Sequence, residues 1–299
     1  MAFHDATRTP ARDAATELYR SAPVEFHSTR TARVALRRYG CGPPLVFLHG
    51  WPLNSFTFRR LLPYLAPRFT CLLFDVPGGG DTEWTKNTDF SWPGQAATIK
   101  EALDAIHIGS YFLYGQDSGA VIGRELALLD SERVLKMIMT NTEIPGHRPP
   151  WIPLYRLAMF LPGANLLFRQ LLRSRAFLHS QFGFGNSFYD LAKLDEEFHA
   201  HEIAPLIKSA HRMAGHNRFL RGWNWKLLDK MASEHGRITI PVLMIWGEDD
   251  PTFPVDRADE MVRQFPDAQI RRVADARVFV QEDQPEAVSR LVVGFLERK

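Results

Sequence analysis

Residues 112 to 120, FLYGQDSGA, run an apolar segment into Gly115-Gln116-Asp117-Ser118-Gly119 and then into a helical pattern. Small residues on both sides of the central position permit a tight strand-to-helix turn, because a glycine leaves room where a Cβ would not. Such a turn lifts its middle side chain, Asp117, to the amino end of the following helix, where the helix dipole favours a carboxylate. Two readings of Asp117 follow. It caps the helix, or it is a nucleophile presented on a turn. Ser118 sits one place off the centre of the frame and is the weaker candidate.

Other short apolar runs lie at 45–48, 71–74, 136–140 and 242–246, each ending near Gly, Asp or Asn. Such runs suit parallel strands buried on both faces. Helical spacing lies between them at 56–65, 95–106 and 120–129. Alternating strand and helix predicts an α/β sheet with right-handed crossovers. Sites in such sheets form at the carboxyl ends of the strands. After Thr142 the character changes to helical spacing rich in Phe, Leu, Arg and His, and strand character returns at Ile238. The expected map is an α/β core over 1–142, a helical cap over 143–236 that acts as a lid, and the rest of the core over 237–299.

Composition narrows the function classes. The chain has 299 residues, 45% of them hydrophobic, enough for one large core with an inserted subdomain. With 36 basic and 34 acidic residues the net charge is +2, which gives no electrostatic case for nucleic acid or an anionic membrane. No run of 18 apolar residues suggests a membrane span, and MAFHDATRTPARDAATELYR at the start has no apolar core of a secretory leader. Cys41 and Cys71 form no CxxC and support neither a disulfide framework nor zinc. The expectation is a cytoplasmic protein without metal or cofactor and with no nucleic-acid or membrane partner. Oligomeric state is not written in the sequence.

Three further motifs bear on chemistry. In FLHGWP, residues 47 to 52, a glycine after a strand lets the next amide, that of Trp51, face a pocket as an anion donor. His49 reads as structural. DVPGGGDT, residues 75 to 82, lacks the lysine of a phosphate loop and the GxGxxG spacing, which argues against nucleotide binding. MIWGEDDPTFPV, residues 244 to 255, places carboxylates at the top of a strand, where one can orient a histidine. Asp250 is the first candidate and Asp249 the second.

In this order HGWP, D-x-P-G-x-G-x-[ST], G-x-D-x-G and GEDDP resemble the α/β-hydrolase superfamily over nearly the whole chain. The aspartate in the turn, with HGWP, is similar to the branch containing epoxide hydrolases and haloalkane dehalogenases. The resemblance implies an α/β-hydrolase fold, a mostly parallel sheet flanked by helices with an inserted helical cap. It implies that Asp117 attacks an electrophilic carbon and forms an ester, with the amides of Trp51 and Ser118 as the oxyanion hole. A histidine oriented by Asp250 would then activate water, with Glu143 as the alternative acid. Three departures stand out. In ADARVFVQEDQPEAV, residues 274 to 288, Phe279 and Glu282 fit the family, but Val278 stands where its histidine belongs and Arg277 where its glycine does, and no histidine follows His235. Ser118 stands where dehalogenases usually place a tryptophan for the halide, leaving the indole of Trp51 as one donor. The cap offers only Tyr155 and Tyr189 as acid donors of the epoxide-hydrolase kind. His147 is the cap histidine considered as a replacement base, while His199 and His201 are expected on solvated faces. Cap aromatics such as Trp151, Phe168 and Trp223 suggest an apolar substrate, or simply packing. A lyase, isomerase or cyclase using Asp117 as acid or base, and a non-catalytic binding protein, remain as alternatives.

Overall fold

The computed structural model describes residues 9–298, so the N-terminal stretch scanned for a leader lies in part outside the described residues. Nine strands form one sheet: β1 (Glu25–Ser28), β2 (Ala32–Tyr39), β3 (Pro44–Leu48), β4 (Thr70–Asp75), β5 (Glu83–Trp84), β6 (Tyr111–Gln116), β7 (Val134–Thr140), β8 (Val242–Gly247) and β9 (Ala268–Val273). Their order is β1-β2-β4-β3-β6-β7-β8-β9, with β5 on β2. From β4 through β3 to β9 every pairing is parallel, and β2 runs antiparallel to β4. The five apolar runs of the sequence are β3, β4, β6, β7 and β8, the middle of the sheet.

Alternate side chains of these strands feed two cores, as the period of two in a strand requires. Val46, Leu48, Leu72, Phe74 and Leu113 pack with Trp92 and Ile99 on one face. Leu45, Phe47, Leu73, Tyr114 and Ile245 pack with Phe56 and Phe58 on the other. Each fully buried Leu, Val or Phe contributes roughly 1.5–3 kcal/mol relative to exposure. The four strands that the apolar runs miss lie toward the edges. In β2, Arg33 and Arg38 interrupt the apolar pattern, and in β9, Arg271 and Arg272 are exposed. Charged edges discourage pairing with other chains, and they also disguise a strand in the sequence. The helix expected over 56–65 is instead a 3-10 turn, Ser55–Leu61, followed by the single α turn Leu62–Leu65. Pro63, which has no N–H to donate, sits in the first turn of the second piece.

Between β7 and β8 the chain is helical, with Trp151–Ala158, Ala164–Leu171, Ala210–Gly222 and Trp225–Glu234 as the longer pieces. Polar ties fix this segment to the sheet. The Asn54 amide donates to Glu202 at 2.8 Å, Arg212 reaches the Gly80 carbonyl at 2.6 Å, and the Phe279 amide donates to the Ser187 carbonyl at 3.0 Å. Among the described residues no helix is long and apolar enough to cross a membrane.

Candidate active site

The turn after β6 puts Asp117 at φ 51° and ψ −136°, between the strand and the helix Ser118–Leu129. A non-glycine residue with positive φ is strained and persists only where its surroundings over-determine it. Here they do. The Asp117 amide donates to the carbonyls of Thr140 and Asn141, both at 3.1 Å, and its own carbonyl accepts from the Ala120 amide at 2.8 Å. The glycines are steric requirements. A Cβ on Gly119 would collide with the Leu48 carbonyl, and one on Gly50 would collide with the side chain of Asp117.

That close approach delivers two amides to one carboxylate oxygen. Asp117 Oδ1 accepts from the Ser118 amide at 2.6 Å and the Trp51 amide at 3.1 Å. Asp117 Oδ2 has no hydrogen-bond partner among the described residues, and Asp117 lines a cavity that is partly open to solvent. One oxygen is therefore held in a pair of N–H groups and the other is not. His49, buried beneath, accepts the Val76 amide on Nε2 at 3.0 Å and holds the Gly50 carbonyl through Nδ1 at 2.9 Å, tying the ends of β3 and β4 together. Its place is structural.

Burial pushes the Asp117 carboxyl up to about 7, against the opposing pull of the Ser118 amide and hydroxyl and the Trp51 amide. Glu143 lines the same cavity and is pushed well above the usual carboxylate range, by burial first and by the charge of Asp117 second. The Thr142 hydroxyl lies 3.1 Å from Glu143 Oε2, whereas Oε1 is buried without a partner. With the Ser118 and Trp51 amides on Asp117 against only its own amide on Glu143, a single shared proton resides on Glu143, and Asp117 carries the charge. A stability consequence follows. The folded value of Asp117 lies above its unfolded value near 4, so the buried acid is tolerated below pH 4 and costs stability as pH rises through about 7. Asp117→Asn, which keeps the acceptor oxygen, is expected to be more stable than the parent at pH 8, by up to about 4 kcal/mol. Urea midpoints should show that advantage shrinking toward pH 4, and a pH-independent difference would count against the assignment.

The remaining candidates are scattered. Asp250 follows β8, but its carboxylate accepts from Asn141 Nδ2 at 2.6 Å and from the amides of Thr252 and Phe253 at 2.7 and 3.2 Å, and it does not line the cavity. Burial pushes it up to about 7. Asp249 is exposed. Val278 does line the cavity and is buried. Tyr155 lines it too, but its hydroxyl donates to the Phe182 carbonyl. Tyr189 is not a cap donor. It stands outside the cavity, 48% exposed, with its hydroxyl toward Asp275. His147 is likewise displaced, its Nε2 on the Thr252 carbonyl at 2.8 Å. The indole N–H of Trp51 is spent on the His216 carbonyl at 3.1 Å, so it offers nothing to a halide. His201 is half-buried rather than solvated, its ring stacked 4.0 Å from that of Phe56.

One cavity histidine escaped the sequence reading. His216 is buried and stacks on Trp51 with 4.7 Å between ring centroids. Its signal was the stripe Met213, His216, Phe219 and Leu220, spaced as the buried face of a helix. Burial, helped by nearby His49, holds it down to about 3, so it is a neutral ring and too weak a base to replace a catalytic histidine. Trp223 lies in the same wall, and its indole N–H is buried without an acceptor among the described residues.

Comparison with known proteins agrees with this architecture. A family model described as alpha/beta hydrolase fold matches residues 43–285. Haloalkane dehalogenase 2 of Mycobacterium tuberculosis is 25% identical over 281 residues, covering 90% of this chain and 92% of that protein. Among solved structures, an alpha/beta hydrolase fold protein from Burkholderia ambifaria aligns with a TM-score of 0.77 at 22% identity, covering 90% of this chain and 97% of the other. The epoxide hydrolase CorEH aligns with a TM-score of 0.72 at 21% identity, covering 92% and 99%. Since the family match takes in the amide-bearing turn after β3, the aspartate turn after β6 and the helical segment above them, the chain belongs to the α/β-hydrolase fold family.

Proposed function

We propose that this protein is a hydrolase-type enzyme that takes a small, largely apolar electrophile beneath its helical cap and is alkylated on Asp117. The observation that carries this reading is the split carboxylate, with Oδ1 between the Ser118 and Trp51 amides and the other oxygen unengaged on a cavity walled by apolar side chains. Asp117 Oδ2 attacks carbon, the carbon–leaving-group bond breaks, and an ester forms. Glu143 supplies a proton to a departing oxygen. In the second half of a hydrolysis the two amides would stabilise the oxyanion that forms when water attacks the ester. The water has no histidine to activate it, because Val278 occupies that place, so the ester outlives its formation.

Incubation with an aryl epoxide and with a primary alkyl bromide, followed by intact-protein mass spectrometry, tests this. A single adduct is expected, mapping to Asp117 and absent from Asp117→Asn. Its formation rate with the bromide should rise with pH and reach half its maximum near 7, since only the ionised carboxylate attacks. Silence from both reagents at pH 8 would sink the proposal. A second reading draws on the coupled acids Asp117 and Glu143, which suit proton transfer without an ester, as in a lyase or isomerase. Turnover that disappears in Asp117→Asn, with no adduct ever seen in the parent, would favour it.

A further inference from the structure

Eleven large hydrophobic side chains stand exposed on the described surface, and seven of them fall between Leu154 and Phe182. Leu157 and Leu166 are 67% and 69% exposed. Leu154, Leu157 and Leu161 follow one another at helical spacing on the outer side of Trp151–Ala158 and the turn beyond it, and Leu166 and Leu167 stand exposed on the next helix, Ala164–Leu171. The inner side of the same two helices is already used, since Ile152, Tyr155 and Phe168 line the cavity. These helices are apolar on both sides, and one side is uncovered.

Charge on this face is one-sided. Residues 144 to 189 contain five arginines and no Asp or Glu, in a chain whose total is nearly balanced. Arg148 and Arg175 pair with Asp229 and Asp195 from outside the stretch. Arg156, Arg169 and Arg173 meet no carboxylate among the described residues, and neither does Arg221, whose guanidinium lies 4.5 Å from the centroid of the Phe160 ring. The near-neutral total that argued against a membrane averages over this segment.

We propose that this face of the cap docks onto a bilayer surface that carries anionic lipid. Leucine and phenylalanine side chains would enter the boundary between headgroups and acyl chains, and the arginine fringe would lie at the phosphates. A second copy of the chain fits less well, because a two-fold contact sets the same unneutralised arginines against themselves. Phe182 is exposed and also lines the cavity, so the cavity reaches the surface of the cap, and an apolar molecule held at that surface has a short path into it. The inference rests on the surface of the cap and on no assignment at Asp117.

Co-sedimentation of the full chain with vesicles tests it, comparing equal parts phosphatidylglycerol and phosphatidylcholine with phosphatidylcholine alone. Binding to the mixed vesicles and much weaker binding to the neutral ones is expected. Changing Arg156, Arg173 and Arg221 together to glutamine should weaken partitioning roughly 100-fold, at about fivefold per arginine. The pair Leu157→Glu and Leu161→Glu should weaken it roughly tenfold or more. All five side chains are exposed or half-exposed, so the melting temperature should stay within a few degrees of the parent, and either set alone decides the matter if the other fails to fold. Equal binding to neutral and anionic vesicles, or no loss in the leucine pair, overturns the proposal. So does a parent that light scattering shows as a dimer and the leucine pair as a monomer, which assigns the face to a second copy.

Discussion

Val278→His is expected to shorten the life of an Asp117 ester by roughly 100- to 10,000-fold, the usual contribution of a positioned general base. The position is already fixed from both sides. The Arg277 amide donates to Asp283 Oδ2 at 3.1 Å and the Phe279 amide to the Ser187 carbonyl at 3.0 Å, so an imidazole there would be held on the cavity wall rather than on a loose loop. An orienting acid lies on a neighbouring loop, since the Asp249 amide donates to the Ala276 carbonyl at 3.1 Å and ties the loop of Asp250 to that of Val278. Asp250 Oδ1 accepts two amides and Oδ2 accepts only Asn141, which leaves one lone-pair site on Oδ2. Asp250 must be ionised to fill that role, and burial holds it up at about 7, so the gain should grow as pH rises past neutrality. The readout is the decay of the adduct mass after excess reagent is removed, at pH 6 and at pH 8. An adduct that lasts as long in Val278→His as in the parent at both values would mean that the base is not what the site lacks.

The sequence showed the middle of the sheet because β3, β4, β6, β7 and β8 are buried on both faces over most of their length and are therefore mostly apolar. It hid β2 and β9 because Arg33, Arg38, Arg271 and Arg272 break the pattern where strands meet solvent. Asp117 was legible for a steric reason. The glycines around it are forced by collisions with the Leu48 carbonyl and with Asp117 itself, so the turn writes itself into the chain. Direction is what a linear reading lacks. Tyr189 and His147 lie in the helical segment as expected, yet one turns to Asp275 and the other to the Thr252 carbonyl. Trp51 is at the site, but its indole is already engaged by His216, a residue whose helical stripe reads as packing. The exposed leucines of the cap were hidden differently. Helical spacing marks an apolar face, and two such faces on one short helix look the same as one broad buried face.

Glu143→Gln is expected to slow alkylation of Asp117 by an epoxide roughly 100-fold or more, while leaving alkylation by an alkyl bromide within about threefold of the parent. The two reagents differ in what leaves. Ring opening of an epoxide puts charge on oxygen and needs a proton there, whereas bromide departs as a stable anion. Among the acidic groups that line the cavity, Tyr155 spends its hydroxyl proton on the Phe182 carbonyl and Asp117 is the attacking group of the proposed reaction, which leaves Glu143. Burial and the charge of Asp117 keep Glu143 protonated at neutral pH, so in the proposed reaction it can donate in the state in which Asp117 is ionised. Glutamine keeps the shape, the contact with Thr142 and the backbone carbonyl that Arg124 holds at 2.9 Å, and it removes only the transferable proton. Because Glu143 is neutral in the reacting state, its replacement should leave the charge on Asp117 undisturbed, and the bromide rate reports that directly. The pH profiles carry the same signature. With epoxide the parent should rise through about 7 as Asp117 ionises and fall again as Glu143 loses its proton, whereas bromide should show the rise alone. An equal loss with both reagents would make Glu143 a residue that positions Asp117, and no loss with either would remove it from the chemistry.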